Sequence, residues 1–365
     1  MKIECQVEKI KNAVSQVEKI TGKNLTLPVL NSILLIASGK SLKLRATNLS
    51  LGIEIEIPAK IEKDGIVAVS GAVLNGIFSN VFQNESVFIE SIEGNLLIKT
   101  KKSQIKLKGQ ACDDFPTIPR VTGTTFDIDG KFLTDGIKSS YYSSSVSDIK
   151  PEISSVFMYT NGEYLVFVST DSFRLAEKKI ENKKNSNFDG AIIPLKNVTE
   201  IIRVFGDCSG DVEIKFEKNQ ISFQNNGIYI TSRVIDGVFP DYNQIVPKEH
   251  TTEVIVLKKD LQNALKIATV FSEKFNQVVF TVKPKDSYFE IKSKNSSIGE
   301  NTTALDASVS GEDIVMGFNA KYVFDCLQAI ADDSVVLRFN GSNKPLVIRG
   351  TGNKSFLYLV MPMNR

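Results

Sequence analysis

The sequence is poor in the residues on which most catalytic and metal sites depend. Its single histidine, His250, lies in the polar run 248–252, where no neighbouring residue suggests a catalytic triad or a metal site. No phosphate-binding loop, GxSxG motif or HExxH motif occurs. The sequence therefore contains no motif for catalysis, and we expect no cofactor and no metal.

Cysteine is also scarce. The four cysteines have neither CxxC nor metal-ligand spacing, so we interpret them as small buried residues in a reducing compartment. They are Cys5, Cys112, Cys208 and Cys326.

Long hydrophobic runs are missing as well. The longest apolar stretches have the length of strands, which is too short to cross a membrane. The first residues, MKIECQVEKIKNAV, carry charges where a secretory signal needs an uncharged apolar region. We therefore expect no membrane partner, no secretory signal and a cytoplasmic location.

The chain does contain a repeat with a period close to 124 residues. Phe115-Pro116 and Phe239-Pro240 are 124 positions apart, and Thr47 and Thr170 are offset by 123. A repeat unit this long is a whole domain, since solenoid units have only about 20–50 residues. The repeat predicts three domains of similar size, at residues 1–123, 124–249 and 250–365.

Each repeat contains two helices separated by strands. Apolar residues at helical spacing predict helices over 7–20, 70–82, 130–145, 194–206, 257–274 and 319–331. Ser70 and Asn319 are candidate N-caps. Elsewhere, as in residues 52–57 and 212–216, apolar and polar residues alternate, which is typical of antiparallel strands with one covered face. The fold class is therefore α+β, with two helices on an antiparallel sheet in each repeated domain.

Basic residues are concentrated in the predicted helices. The six helical segments contain 12 lysines and arginines against 7 acidic residues, whereas the whole chain has 44 against 42. Because helices tolerate lysine well, the excess can arise by chance. The functional interpretation is a positively charged helical layer that attracts a polyanion such as DNA.

Several short motifs occur in order along the chain. They are Thr26-Leu27-Pro28-Val29-Leu30, Thr170-Asp171-x-x-Arg174-Leu175-Ala176, Asp236-Gly237-x-Phe239-Pro240-Asp241-Tyr242, Gly317-Phe318-Asn319 with Tyr322, and Tyr358-Leu359-Val360-Met361-Pro362-Met363. Together with the three two-helix repeats, they resemble the bacterial DNA polymerase III β subunit family, the sliding clamps, over essentially the full length.

The resemblance implies a head-to-tail homodimer that closes into a ring of six clamp domains. In such a ring the helices line a central hole that encircles double-stranded DNA, and the clamp tethers the polymerase to confer processivity. The protein would then be a non-catalytic subunit of a DNA-directed DNA polymerase. Three equal domains suit this assembly, because head-to-tail contacts close only when the rotations complete a turn.

The clamp hypothesis predicts DNA contacts that go to phosphates without reading sequence. The candidates on the helices are Lys9, Lys11, Lys131, Lys138, Lys196, Arg203, Lys259 and Lys266. The resemblance adds two loops, with Lys23, Asn24 and Lys150 near positions that contact DNA in the family. Asn24 occupies a position where the family match would favour lysine.

The resemblance also implies a groove that binds short peptide motifs of the DNA polymerase III α subunit, the clamp loader and other partners. Its residues would be Ile153, Thr170, Phe173, Arg174, Leu175, Pro240, Ile245, Asn319, Tyr322, Leu359, Val360, Met361 and Met363. Methionine suits such a groove because it adapts to varied apolar anchors. Ser172-Phe173 and Gln244 depart from the family pattern, and the Arg174 segment and the methionine-rich end have no evident counterparts in the first repeat.

A third expected site is the contact between protomers. Residues 104–108 alternate as an edge strand would, with Ile105 and Leu107 as apolar members. The resemblance places the partner protomer's Val270 and Phe271 against this strand, although burial of Phe271 within its own domain is an alternative.

Two other functional classes remain as alternatives at this point. One is a hydrolase or transferase built on repeated α+β domains, which would need converging polar residues in a cleft. The other is a structural or carbohydrate-binding repeat protein, which would more naturally be secreted and carry disulfides.

Overall fold

The computed structural model describes residues 1–22, 27–80, 86–182 and 188–363. The chain separates into two compact units. Unit 1 comprises Met1–Leu133 and Thr199–Val234, and unit 2 comprises Thr134–Val198 and Ile235–Arg365.

Six α-helices form within the described residues, one in each predicted window. They are α1 (Val7–Glu18), α2 (Gly71–Ser79), α3 (Gly130–Ser140), α4 (Leu195–Phe205), α5 (Lys258–Val270) and α6 (Ala320–Cys326). Each is shorter than its window. After α6, the buried residues Leu327 and Ile330 continue the apolar pattern past the last helical turn. The predicted end of α2, Val81 and Phe82, lies outside the described residues.

The predicted apolar stripes are largely confirmed. In α1, Val7, Ile10, Val14 and Val17 are fully buried. The apolar spacing in the window of α3 comprises Phe132, Leu133, Ile137 and Tyr141. Leu133 and Ile137 are buried, as that spacing predicts, but Phe132 is 54% exposed and does not belong to the buried face.

One of the two predicted helix caps is confirmed. The Asn319 Oδ1 accepts the backbone N–H groups of Lys321 at 2.9 Å and Tyr322 at 3.2 Å. Ser70 occupies the predicted N-cap position of α2, but its side chain makes no capping hydrogen bond. Ser70 is the last residue of a strand, so α2 begins directly where the strand ends.

The strands before α4 are, in chain order, β1 (Lys2–Gln6), β2 (Ser32–Ser38), β3 (Ser41–Thr47), β4 (Leu51–Pro58), β5 (Lys60–Lys63), β6 (Gly65–Ser70), β7 (Ser86–Ile92), β8 (Asn95–Lys99), β9 (Gln104–Leu107), β10 (Gly109–Gln110), β11 (Thr124–Asp129), β12 (Ser155–Asn161), β13 (Tyr164–Thr170), β14 (Arg174–Glu181) and β15 (Ala191–Pro194). After α4 follow β16 (Asp211–Glu217), β17 (Gln220–Asn225), β18 (Ile228–Arg233), β19 (Thr252–Leu257), β20 (Gln277–Lys283), β21 (Tyr288–Asn295), β22 (Gly299–Ala304), β23 (Ala307–Gly311), β24 (Ile314–Asn319), β25 (Ser334–Phe339), β26 (Leu346–Gly350) and β27 (Phe356–Val360).

All strand pairs are antiparallel, as the alternating pattern predicts. Unit 1 has a five-stranded sheet, β5-β1-β7-β8-β9, and a nine-stranded sheet, β10-β6-β2-β3-β4-β18-β17-β16-β11. Unit 2 has a nine-stranded sheet, β15-β12-β13-β14-β27-β26-β25-β19-β23, and a four-stranded sheet, β22-β21-β20-β24. The α+β fold class is thus confirmed within the described residues.

The nine-stranded sheets explain why the chain forms two compact units although the repeat predicts three domains. In unit 1, β4 from the first repeat pairs with β18 from the second. In unit 2, β14 from the second repeat pairs with β27 from the third. Each pairing satisfies the backbone groups of two strands that would otherwise be sheet edges. Neighbouring repeats therefore share a sheet in each unit.

The four cysteines and the single histidine largely agree with the sequence-based interpretation. All four cysteines are free, and Cys5 and Cys326 are buried, whereas Cys112 and Cys208 are only half-buried. Burial raises the pKa of the Cys5 thiol to about 12. His250 is exposed, with its Nε2 3.6 Å from a Glu253 carboxylate oxygen. No helix in the described part of the chain is long and apolar enough to span a membrane.

Candidate binding groove, basic residues and free sheet edges

Unit 2 contains a groove that we name the unit 2 groove. It has a volume of about 160 Å³ and is lined by Ile153, Thr170, Ser172, Phe173, Arg174, Leu175, Pro240, Asp241, Tyr242, Ile245, Pro345, Leu359 and Met361. Leu175 and Leu359, opposite each other on β14 and β27, are buried and form its floor. Phe173, Ile245 and Met361 are exposed at its rim. The groove therefore offers an apolar surface to a ligand.

A tight turn at residues 170–174 shapes one side of the unit 2 groove. The Thr170 Oγ1 donates to the Arg174 carbonyl at 2.7 Å, and the Asp171 Oδ1 accepts the N–H groups of Phe173 and Arg174. Ser172 adopts a left-handed φ of 77°. The turn leaves the Phe173 ring 63% exposed. Hydrogen bonds within the turn thus hold an apolar side chain in solvent at the groove rim.

The Arg174 side chain is held by three neighbours. Its Nε donates to Asp171 Oδ2 at 2.9 Å, its Nη1 donates to Asp325 Oδ2 at 2.7 Å, and its guanidinium lies 4.2 Å from the centre of the Tyr322 ring. Burial by itself lowers the pKa of Arg174, but Tyr358, Asp325 and Asp171 outweigh burial and raise the pKa. The guanidinium therefore connects the 170–174 turn to α6 through Asp171 and Asp325. Because these contacts occupy it, it is less available to a ligand than the resemblance implies.

Tyr242, which lines the groove, belongs to a hydrogen-bonded chain with Tyr159 and Glu177. The Tyr159 and Tyr242 hydroxyl oxygens are 2.7 Å apart, and the Tyr242 hydroxyl donates to Glu177 Oε2. Burial raises the pKa of Tyr242, and the nearby Glu177 carboxylate raises it further. Both tyrosine hydroxyls are accordingly neutral at physiological pH and add no charge to the groove.

Nine of the thirteen residues assigned to the groove from the sequence line it. The other four lie nearby but face elsewhere. Asn319 caps α6, Tyr322 stacks on Arg174, and the Met363 N–H donates to the Gly317 carbonyl at 2.8 Å. Val360 is buried in the core, because successive residues of a strand point to opposite faces and its neighbours Leu359 and Met361 face the groove.

Four lining residues are missing from the sequence-based set. Tyr242 and Asp241 belong to the Phe239-Pro240 motif, and Ser172 belongs to the 170–174 turn, so both motifs already contained them. Pro345 precedes β26, and no sequence signal connects it to the groove.

The basic residues proposed for DNA contact fall into two groups. The exposed ones are Lys9, Lys131, Lys138, Lys150, Lys196, Lys259 and Lys266. Lys11 and Arg203 are half-buried and donate to the carbonyls of Ser79 at 3.1 Å and Gln16 at 2.9 Å, so their charges also serve the fold of unit 1. Lys23 and Asn24 lie outside the described residues.

The contacts of Lys196 and Lys266 show how these exposed lysines are held. The Lys196 Nζ lies 2.6 Å from Asp148 Oδ2, and the Lys266 Nζ lies 5.7 Å from the centre of the Phe324 ring. Both side chains are exposed, and exposed ion pairs contribute little. These lysines can therefore exchange their present contacts for a phosphate.

Each unit has a smaller sheet with an edge strand that resembles a pairing site. Among the residues that the structure describes, β9 of unit 1 pairs with β8 alone, which confirms the predicted edge strand and leaves Ile105 and Leu107 half-buried. In the described part of unit 2, β22 pairs with β21 alone. An unpaired edge presents a row of backbone donors and acceptors to another chain.

Apolar side chains lie beside the β22 edge. Val270, at the end of α5, is 62% exposed. Phe271 is half-buried, and its ring lies 3.8 Å from the position that a Cβ atom on Gly299 of β22 would occupy. The two residues assigned to the protomer contact therefore lie at the end of α5, and Phe271 packs next to the edge.

Comparisons with known proteins agree in all three parts of the chain. Residues 1–119, 127–241 and 243–364 match models of the N-terminal, central and C-terminal domains of the DNA polymerase III beta subunit. A "Beta sliding clamp" of Synechococcus elongatus is 26% identical over 371 residues, covering 100% of this chain and 99% of the relative.

Solved structures give the same result. A DNA polymerase sliding clamp from Bacillus subtilis has a TM-score of 0.95 at 25% identity, with 100% of this chain and 99% of that chain covered. A sliding clamp from Pseudomonas aeruginosa, solved bound to griselimycin, has a TM-score of 0.95 at 25% identity, with both chains covered completely.

Proposed function

Since the chain belongs to the DNA polymerase III beta subunit family and is a sliding clamp, a non-catalytic processivity factor, we propose that two copies join head to tail in a ring around duplex DNA. The observation that carries the proposal is the presence of the three family domains in order along one chain. The enzyme and structural-repeat alternatives are not favoured by these matches. The protein then acts in the cytoplasm, where bacterial DNA is replicated.

The two free sheet edges support head-to-tail closure. Lys106 of β9 and Lys108, which follows β9, are exposed. On β22, Glu300 lies 4.0 Å from the Lys292 Nζ in an exposed pair, and near β22 the Glu273 side chain accepts the Ser296 N–H at 3.0 Å. Opposite charges on two unpaired edges favour pairing of β9 of one protomer with β22 of the next. After this contact, β22 of the first protomer and β9 of the second remain unpaired. A second, identical contact between these two strands closes the ring.

DNA binding in this proposal is topological and independent of sequence. The exposed lysines on α1, α3, α4 and α5, together with Lys150, supply mobile charges that contact phosphates without reading bases. A closed ring keeps the bound polymerase at high effective concentration near the primer end. Processivity then depends on closure and only weakly on the affinity of any single lysine.

A circular DNA substrate tests this proposal. Clamp loaded on nicked circular DNA by its loader is expected to stay bound at about 0.5 M salt, at which phosphate contacts are strongly weakened. Linearising the circle is expected to release the protein, as measured by gel filtration of the DNA-bound fraction. Release from intact circles at the same salt would contradict encirclement, and uncut circles under identical treatment are the control.

We further propose that the unit 2 groove binds short linear motifs of the DNA polymerase III α subunit, the clamp loader and other partners. Its buried leucine floor and exposed Phe173, Ile245 and Met361 suit aliphatic or aromatic anchors of an extended peptide. Because Arg174 is already paired with two carboxylates, recognition depends mainly on apolar burial. Partners that use the same groove compete with one another.

Removing the exposed ring at the groove rim tests the peptide proposal. Phe173→Ala is expected to weaken binding of the purified α subunit by about thirtyfold, equivalent to roughly 2 kcal/mol for a buried aromatic anchor. Surface plasmon resonance with immobilised clamp measures the change. Tyr164→Ala removes another exposed aromatic ring of unit 2 and is the matched control. Equal affinity of the Phe173 and Tyr164 variants would exclude this groove as the α-subunit site.

A further inference from the structure

Unit 1 contains a turn with the same hydrogen bonds as the turn beside the unit 2 groove. The Thr47 Oγ1 donates to the Leu51 carbonyl at 2.9 Å, and the Asn48 Oδ1 accepts the N–H groups of Ser50 at 3.0 Å and Leu51 at 2.8 Å. Thr170 and Asp171 make the equivalent bonds in unit 2. Leu49 has a φ of 73°, close to the 77° of its equivalent, Ser172.

The strand beside each turn is also equivalent. In unit 1 the Arg233 N–H donates to the Ser50 carbonyl at 2.9 Å, and in unit 2 the Met361 N–H donates to the Phe173 carbonyl at 2.8 Å. Leu51 lies opposite Ser232 in the same register in which Arg174 lies opposite Val360. The backbone that builds the unit 2 groove is therefore present twice, once in each unit.

The equivalent backbone in unit 1 encloses a cavity of about 320 Å³, twice the volume of the unit 2 groove. We name it the unit 1 pocket. Its lining residues are Thr47, Leu49, Ser50, Leu51, Gly52, Pro116, Thr117, Ile118, Pro119, Gln220, Thr231 and Arg233. Gly52 occupies the position of Leu175, so the floor lacks one side chain, and Ile118 approaches within 3.1 Å of where a Cβ on Gly52 would lie.

The chemistry of the unit 1 pocket differs from that of the groove at two key positions. Arg233 replaces Met361, and within the described residues its guanidinium forms no ion pair and is exposed. Leu51 replaces Arg174 and is buried. The pocket thus combines the exposed positive charge of Arg233 with apolar residues (leucine, isoleucine and proline) that alternate with polar ones, namely Thr47, Ser50, Thr117, Gln220 and Thr231.

The turn holds Leu49 at the mouth of the pocket at a conformational cost. A left-handed φ is unfavourable for leucine, and such strain persists where the surrounding structure maintains it. Leu49 is nevertheless exposed, so burial in the core of unit 1 does not offset this strain. An apolar side chain held in solvent beside a free arginine presents two adjacent recognition elements.

We propose that the unit 1 pocket is a second peptide-binding site, which takes an extended segment of a partner protein with an aliphatic side chain close to a carboxylate. The aliphatic side chain packs between Leu49 and Ile118, and the carboxylate pairs with Arg233. This inference rests on the proposed function in one respect, namely that the equivalent groove of unit 2 binds peptides. One protomer then holds two different partners at the same time.

A charge-reversal experiment with defined peptides tests the second site. Binding of fluorescein-labelled Leu-Ala-Asp peptide is measured by fluorescence anisotropy, with Leu-Ala-Lys as the charge-reversed probe. Arg233→Glu is expected to weaken Leu-Ala-Asp binding by about tenfold or more and to favour Leu-Ala-Lys. Lys99→Glu reverses another exposed charge of unit 1 outside the pocket and is expected to change neither. Circular dichroism of each variant verifies folding.

Phe173→Ala distinguishes this inference from the proposed function. Retained Leu-Ala-Asp binding in Phe173→Ala, with loss in Arg233→Glu, supports the unit 1 pocket. Loss in Phe173→Ala with retention in Arg233→Glu overturns the inference, because the peptide then occupies the unit 2 groove. Absence of saturable binding to the parent protein also overturns it, whereas α-subunit binding, measured in parallel, reports on the proposed function alone.

Discussion

Replacing Val270 and Phe271 together by alanine is expected to convert the dimer into monomers. Val270 is 62% exposed at the end of α5, and Phe271 lies beside the β22 edge that we propose to pair with β9 of the partner. A fully buried valine or phenylalanine side chain contributes about 1.5–3 kcal/mol. Their loss from one contact therefore raises its dissociation constant by about 100-fold or more, and a two-contact ring loses this energy twice.

Light scattering across a dilution series measures this effect. Val315→Ala provides the matched control, because Val315 is 55% exposed on β24, at the opposite edge of the same sheet. The control is expected to stay dimeric at concentrations where the double variant is monomeric. A double variant with the dissociation constant of the parent would remove Val270 and Phe271 from the protomer contact. Loading on circular DNA is expected to fail in parallel with dimer formation.

The local elements of the fold could be predicted from the sequence because their signals are local. Apolar spacing identified all six helices, and the alternation of 104–108 identified an edge strand. The pairing of β4 with β18 and of β14 with β27 could not be predicted, because strand partners distant in sequence leave no mark in either strand alone. These pairings join neighbouring repeats within shared sheets.

For the unit 2 groove, too, the sequence predicted part of the structure and missed another part. Motif resemblance identified residues of β14 and β27 that line it, but it included Val360, which strand alternation directs into the core. It also treated Arg174 as a ligand-binding group, whereas the structure pairs this side chain with Asp171 and Asp325. Side-chain partners distant in sequence decide such roles, and Asp325 lies on α6, 151 residues away.

From the sequence alone, the Arg174 segment has no evident counterpart in the first repeat, and this interpretation was wrong. Thr47 to Leu51 and Thr170 to Arg174 share a hydrogen-bonding pattern but differ in side chains at most positions. Both turns have a side-chain oxygen at their first two positions, and the residue at the third position adopts a positive φ in each, Leu49 in one and Ser172 in the other. The repeat therefore conserves backbone geometry and varies the chemistry that a ligand meets, which is how two equivalent pockets can select different peptides.

Replacing Arg174 by methionine is expected to lower the free energy of unfolding of unit 2 by about 3–5 kcal/mol, the cost of breaking a buried ion pair. The Arg174 side chain is 11% exposed, and its removal leaves Asp171 and Asp325 as largely buried carboxylates without their cation. Methionine keeps the apolar volume, so the loss reports on charge and hydrogen bonding. Differential scanning calorimetry is expected to show a Tm lower by about 6–20 °C.

Two further variants identify the cause of this loss. Arg338→Met is the control, because it removes an arginine of unit 2 that pairs with Glu253 but has a 41% exposed side chain. An exposed ion pair of this kind contributes no more than about 1 kcal/mol. Adding Asp325→Asn to Arg174→Met removes one of the stranded charges and is expected to recover part of the stability. If the double variant were no more stable than Arg174→Met, uncompensated burial of Asp325 would not be the source. Partial recovery would instead show that the ion pairs of Arg174 connect the 170–174 turn to α6 and hold this side of the groove in place.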